Sequence, residues 1–188
     1  MPRRLLSRLT ARLAPAIDAI AGHPWVRRHA PALANPDLWH LNRRSAARAV
    51  AVGLFCGLIP GPLQAAGAIA GSLAVRANFP LAVATTFYTN PLTIVPLYVV
   101  AYEYGALFFP GAPPADVVAL PWTAGASEWL AALLAWMANL GKPLAVGLLL
   151  LALTLAAAGW ATVRLAWRWH TVRAWRRRSR LRAAAAHA

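Results

Sequence analysis

Residues 49–75 read AVAVGLFCGLIPGPLQAAGAIAGSLAV, 27 residues without a charge, with Pro60-Gly61-Pro62 near the middle. A membrane crossing takes about 20 apolar residues, so length alone permits one span here. The triplet opposes it. Pro60 and Pro62 each remove a backbone donor, and Gly61 has no Cβ to resist an unusual dihedral. The stretch therefore predicts two half-helices, 46–59 and 62–75, joined at the triplet. Gly53, Gly57, Gly67 and Gly71 recur four apart within each half, a spacing that lets helix backbones approach closely.

Downstream, Asn78-Phe79-Pro80 restarts the chain, and 79–109 is expected to be helical but broken at Asn90-Pro91-Leu92-Thr93-Ile94-Val95-Pro96. Asn accepts a hydrogen bond from a first-turn N–H, and Pro fits the first helical position, where its missing donor has no partner to lose. Asn90 and Asn78 both suit that role. Pro, Gly and Ala dominate 110–114, so 110–127 reads as a loop. Trp129, Leu133, Trp136 and Leu140 line one face of a helix over 128–141. Leu144–Val163 supplies 20 uncharged residues, the clearest span, and 164–182 reads as a basic helix with tryptophans at its membrane end.

Upstream, Leu5, Leu9, Leu13, Ile17 and Ile20 form a stripe beside Arg4, Arg8 and Arg12. This predicts a basic amphipathic helix over 4–20, kinked at Pro15, on the cytoplasmic side, either lying in anionic headgroups or packed as a soluble helix on its neighbours. A linker through Gly22, Pro24 and Pro31 leads to Asn35-Pro36, read as a helix start. The expected organisation is an amphipathic segment (1–34), a membrane domain (35–175) and a basic tail (176–188).

Charge decides the class. The 188 residues carry 19 Lys and Arg against 5 acids, a net +14, and 60% of them are apolar. Such a balance raises nucleic-acid binding first. The distribution argues against it and leaves a soluble nucleic-acid binder as a third reading: positive charge gathers before residue 49 and after residue 163, Arg76 stands alone between Arg48 and Glu103, and 103–143 is mildly acidic. That is the positive-inside pattern of a membrane protein with both termini cytoplasmic. Trp160, Trp167, Trp169 and Trp175 sit where interfacial aromatics are favoured. Cys56, the one cysteine, excludes an internal disulfide. The N-terminus has no signal-peptide pattern.

The same rule constrains topology. Three full crossings would leave the Arg-rich tail outside. If 46–75 is a re-entrant hairpin, Arg76 returns to the cytoplasmic side, 79–109 crosses out, the acidic loop lies outside and 144–163 crosses back. Non-helical backbone at membrane depth must be covered by protein or line a wet cavity, so a partner surface is expected, from this chain or from a second copy. The expected fold is all-α: a polytopic membrane protein with a re-entrant broken-helix pair, Pro-interrupted transmembrane helices and basic amphipathic terminal helices.

The elements Asn35-Pro36-Asp37-Leu38-Trp39, Arg43-Arg44-Ser45, Gly53-Leu54-Phe55, Pro60-Gly61-Pro62-Leu63-Gln64, Arg76-Ala77-Asn78-Phe79-Pro80, Asn90-Pro91-Leu92-Thr93 and Tyr102-Glu103-Tyr104-Gly105, in that order, resemble the bacterial domain of unknown function 2062 family over about residues 35–175. The resemblance implies a small bacterial membrane protein, sometimes attached to glycosyltransferase-type domains. It implies no activity and no catalytic residue.

Candidate ligand-binding residues follow from the breaks. A helix beginning at mid-membrane directs N–H groups and a positive dipole end inward, which suits a carboxylate or phosphate. The candidates are Pro60, Gly61, Pro62, Gln64, Arg76, Asn78, Asn90, Pro91, Thr93, Tyr102 and Glu103. Arg76 offers a planar fork to an anion, or snorkels to the interface. Glu103 is an interfacial carboxylate, or a proton-coupling group if it faces a cavity. His23, His29, His40, His170 and His187 lack metal-ligand spacing, and no catalytic or nucleotide-binding motif is present. No cofactor is expected. Two functions fit: binding or moving an anionic or amphiphilic solute or lipid at the bacterial inner membrane, as transporters do, or a scaffold anchoring an envelope-polysaccharide or glycosyltransferase system.

Overall fold

The computed structural model describes residues 38, 39, 41–115 and 125–186. The expected 4–20 helix, the linker and the Asn35-Pro36 cap lie outside them. Five helices are present and no strand among the described residues: α1 (Arg43–Cys56), α2 (Leu63–Val75), α3 (Phe79–Thr86), α4 (Pro91–Ala106) and α5 (Ala126–Ala186). The all-helical expectation holds.

α1 starts three residues before the expected 46 because Asn42 caps it. Its Oδ1 accepts from the Arg44 and Ser45 amides, both at 2.9 Å, and Ser45 Oγ accepts from the Asn42 amide at 3.1 Å. This reciprocal box satisfies donors that the first turn leaves free. α1 ends at Cys56, three residues short of the expected 59, and the chain then reverses at Gly61, whose φ of 71° requires glycine's freedom.

α1 and α2 form an antiparallel hairpin. Arg48 Nη1 donates to the Val75 carbonyl at 3.0 Å at its base. One turn on, Val52 faces Gly71, and near the tip Cys56 faces Gly67. A Cβ on Gly71 would come within 2.8 Å of Val52 Cγ1, so the four-residue glycine spacing is a packing device. Each helix is roughly 20 Å long at 1.5 Å per residue. α2 ends at Arg76 in the left-handed conformation (φ 51°, ψ 54°), where the Arg76 and Ala77 amides both return to the Ser72 carbonyl. A non-glycine residue held there costs about 1–2 kcal/mol locally.

α3 runs alongside α1 in the same direction. Gly53 faces the Ala82 carbonyl and Thr85, and Gly57 faces Tyr88. Asn78 caps α3 through Leu81 N (2.9 Å) and also donates to the Trp39 carbonyl (2.9 Å), while Trp39 meets Phe79 edge-on at 4.5 Å. The approach to α1 is thereby fastened to the hairpin base.

The expected 79–109 helix is two helices. The interruption is 87–90, and Pro96 lies inside α4 instead of breaking it. Proline's φ is already helical, so its cost is confined to one absent donor and a local clash. The Tyr102 hydroxyl donates to the Pro113 carbonyl at 2.6 Å, which folds the chain after α4 back along it.

α5 bends at Gly141 (φ 60°, ψ −141°). Its first arm, 126–140, stands beside α4, with Trp136 stacked on Tyr98 at 6.4 Å and Leu130 reaching Gly61 at the hairpin tip. Its second arm, from residue 142, descends antiparallel to α4 and then to α1: Gly147 abuts the Ala101 carbonyl, Gly105 abuts the Pro143 carbonyl, and Gly159 abuts Leu54. Leu58, Ile94, Tyr98, Leu133, Trp136, Leu144 and Leu151 form the main core.

One helix, in the stretch Ala126–Arg173, is long and apolar enough to cross a membrane. Only 22% of its most apolar window is buried inside the protein. Leu63, Phe87, Leu92, Leu149 and Leu153 are also exposed, a wide apolar surface of the kind that marks lipid or partner contact.

Candidate functional site

The two interruptions meet. Breaking a helix at 57–62 frees carbonyls at and just beyond its end, and hydroxyls from the second interruption and from α4 answer them. Tyr88 donates to the Leu54 carbonyl at 2.8 Å, Thr89 to that of Gly57 at 2.5 Å, and Tyr98 to that of Leu58 at 2.6 Å. Thr89 has one proton but touches three oxygens, including Thr86 O at 3.0 Å and the Gln64 amide at 2.9 Å. A carbonyl takes that proton, so the Gln64 contact is favourable when the amide presents its NH2 group to the hydroxyl.

α4 then begins with its own box. Asn90 Oδ1 accepts from Leu92 N (2.9 Å) and Thr93 N (3.1 Å), and Thr93 Oγ1 accepts from Asn90 N (3.0 Å) while contacting the Tyr88 carbonyl at 2.8 Å. No side chain caps α2, whose first residues follow Pro62.

The eleven candidate residues fall into three groups. Pro60, Gly61, Pro62 and Gln64 join Asn90, Pro91 and Thr93 at the double break. Arg76 and Asn78 lie at the hairpin base, twelve residues of helix from Gln64, or roughly 18 Å. Arg76 is exposed, and Asn78 is buried with its amide bound at both ends. Tyr102 and Glu103 lie near the far end of α4, Tyr102 buried on Pro113 and Glu103 exposed. At the double break, the Gln64 amide meets Thr89, and the Asn90 side-chain oxygen and the Thr93 hydroxyl are engaged by the fold itself.

Sequence reasoning missed two features. The hydroxyls of Tyr88, Thr89 and Tyr98 carry the break, although they read as ordinary members of an apolar run. The second is a half-open cavity of about 360 Å³ lined by Arg43, Arg164, Leu165 and Arg168. Arg43 is the first residue of α1, and no acid occupies that first turn. Arg164 and Arg168 are one turn apart on α5, and the Arg164 guanidinium lies over the Trp160 ring at 4.5 Å. The spacing of the α5 pair was legible; its convergence with Arg43 depends on α5 running back along α1.

These features define a class: an all-helical protein built on a short broken-helix hairpin, with one helix able to cross a membrane and arginines gathered at one end. The bacterial family described as an uncharacterized protein conserved in bacteria (DUF2062) matches over residues 26–176. The chain belongs to this family. Neither a curated protein nor a solved structure matches it.

Proposed function

We propose that the chain is a polytopic protein of the bacterial inner membrane that binds an anionic amphiphile at its cytoplasmic face. The observation that carries this is the gathering of charge. Because α2 returns antiparallel to α1, Arg76 comes back beside Arg48. Because α5 descends along α1, Arg164 and Arg168 arrive beside Arg43. The far end holds Glu103 and Lys142, adjoining Gly105 and Pro143 respectively. One basic end and one nearly neutral end are what the positive-inside rule asks of a membrane protein.

In this reading α1 and α2, each too short for a hydrocarbon core of about 30 Å, form the re-entrant hairpin. The α3–α4 pair crosses outward, and the second arm of α5 crosses back, leaving both termini cytoplasmic. Hydroxyl-to-carbonyl bonds at the double break supply what water would supply elsewhere. The break is then a rigid frame, and the ligand meets the basic end.

The test is single-cysteine labelling in intact cells of a bacterial host, in a Cys56→Ala background. A membrane-impermeant maleimide is expected to label Pro114→Cys and to spare Arg76→Cys until the membrane is opened. Labelling of Arg76→Cys from outside overturns the re-entrant topology.

A further inference from the structure

The Arg43, Arg164 and Arg168 cavity has a composition that the charges of the described residues leave unbalanced. Arg43 and Arg44 hold the first two positions of α1, at the positive end of its dipole, where acids are favoured and cations are not. Arg164 and Arg168, one turn apart, repel each other. The carboxylates among the described residues are Glu103 and Glu128. Glu103 lies near the far end of α4, and Glu128 precedes the Leu130 that meets the hairpin tip, so neither is beside the cavity. An arrangement of this kind is relieved by an anion.

We infer that Arg43, Arg164 and Arg168 form a binding site for the phosphate of an anionic membrane lipid. Three guanidinium groups approaching from two helices offer forked donors matched to phosphate oxygens. Stacking on Trp160 restrains one fork before any ligand arrives. Two features favour a lipid over free phosphate as the source. The arginines begin where the uncharged run Leu144–Val163 ends, at headgroup depth in the proposed topology. Leu165, which lines the cavity, and Trp160 beside it are exposed apolar surfaces that an acyl chain or glycerol backbone would cover. Basic pockets between helices on the cytoplasmic side are suited to lipid phosphates. The inference rests on the basic end facing the cytoplasmic leaflet.

The experiment is a titration of the detergent-solubilised full chain with phosphatidylglycerol and, separately, phosphatidylcholine, read by native mass spectrometry. All substituted arginines are exposed, so folding is expected to survive. Wild type is expected to prefer phosphatidylglycerol. Arg43→Ala and the Arg164→Ala/Arg168→Ala pair are expected to weaken that binding at least about fivefold per arginine removed. The charge-matched pair Arg173→Ala/Arg176→Ala is expected to retain it. Equal loss in both pairs overturns the site while leaving the wild-type preference, and with it the broader reading, intact. Loss of the preference in wild type itself overturns the broader reading. Displacement of the lipid by millimolar inorganic phosphate overturns the assignment to a lipid.

Discussion

The hydroxyl of Tyr98 donates to the backbone carbonyl of Leu58 at 2.6 Å across 40 residues of sequence, and both residues are buried. The bond ties the tip of the α1–α2 hairpin to the middle of α4. Tyr98→Phe keeps the ring and its stacking on Trp136 but leaves the Leu58 carbonyl dry and unanswered. The expected cost is about 1–3 kcal/mol, seen as a Tm lowered by several degrees in detergent. An unchanged Tm means that the carbonyl finds water.

Thr89 and Gln64 are expected to act as a unit. Thr89→Val removes the hydroxyl with little change of shape, and Gln64→Ala removes the amide that meets it. Because both changes remove one shared contact, their effects on the unfolding midpoint should be non-additive, with a coupling of about 0.5–3 kcal/mol. Additive effects would show that the 2.9 Å contact contributes nothing.

Asn90→Ala removes the acceptor for two first-turn amides of α4 and is expected to cost about 1 kcal/mol, with Asn90→Ser recovering most of it. Denaturation midpoints of the two variants decide the matter. Thr93→Val should show the other half of the box, since Asn90 N loses its acceptor.

Gly105 and Gly147 allow α4 and α5 to touch backbone to backbone. A Cβ on either would overlap a carbonyl of the other helix, that of Pro143 or Ala101. Gly105→Ala and Gly147→Ala are expected to destabilise by about 1–3 kcal/mol or more through overpacking. Gly125→Ala, with no atom within 4 Å of the new methyl, is expected to leave Tm unchanged. Comparable losses at all three positions would mean that helix contact is not the cause.

Much of the hairpin was legible because prolines act locally. Pro60-Gly61-Pro62 cannot continue a helix whatever surrounds it, and Asn90-Pro91-x-Thr93 makes a cap from its own atoms. Helix ends were less legible. The Asn42–Ser45 box that moves α1 back to Arg43 lies behind a run of arginines that reads as mere interfacial charge. The expected break at 90–96 extends to Pro96, yet that single proline lies inside α4 and leaves the helix running. The carbonyl partners of Tyr88, Thr89 and Tyr98 lie 32 to 40 residues away, beyond any local pattern. For the same reason the grouping of the eleven candidate residues into three places was not legible. The cavity at Arg43 was hidden too, since Arg43 lies 121 or more positions from its other members.

The Arg48–Val75 clasp at the hairpin base bears on how such a chain enters a bilayer. On the proposed topology, a nascent segment that enters and leaves by the same face carries no guanidinium through oil. Arg48 and Arg76 mark its two ends and remain in water throughout. The insertion machinery then has to translocate only the weakly charged stretch from Glu103 to Lys142, and the hairpin can settle late, after the flanking helices are in place.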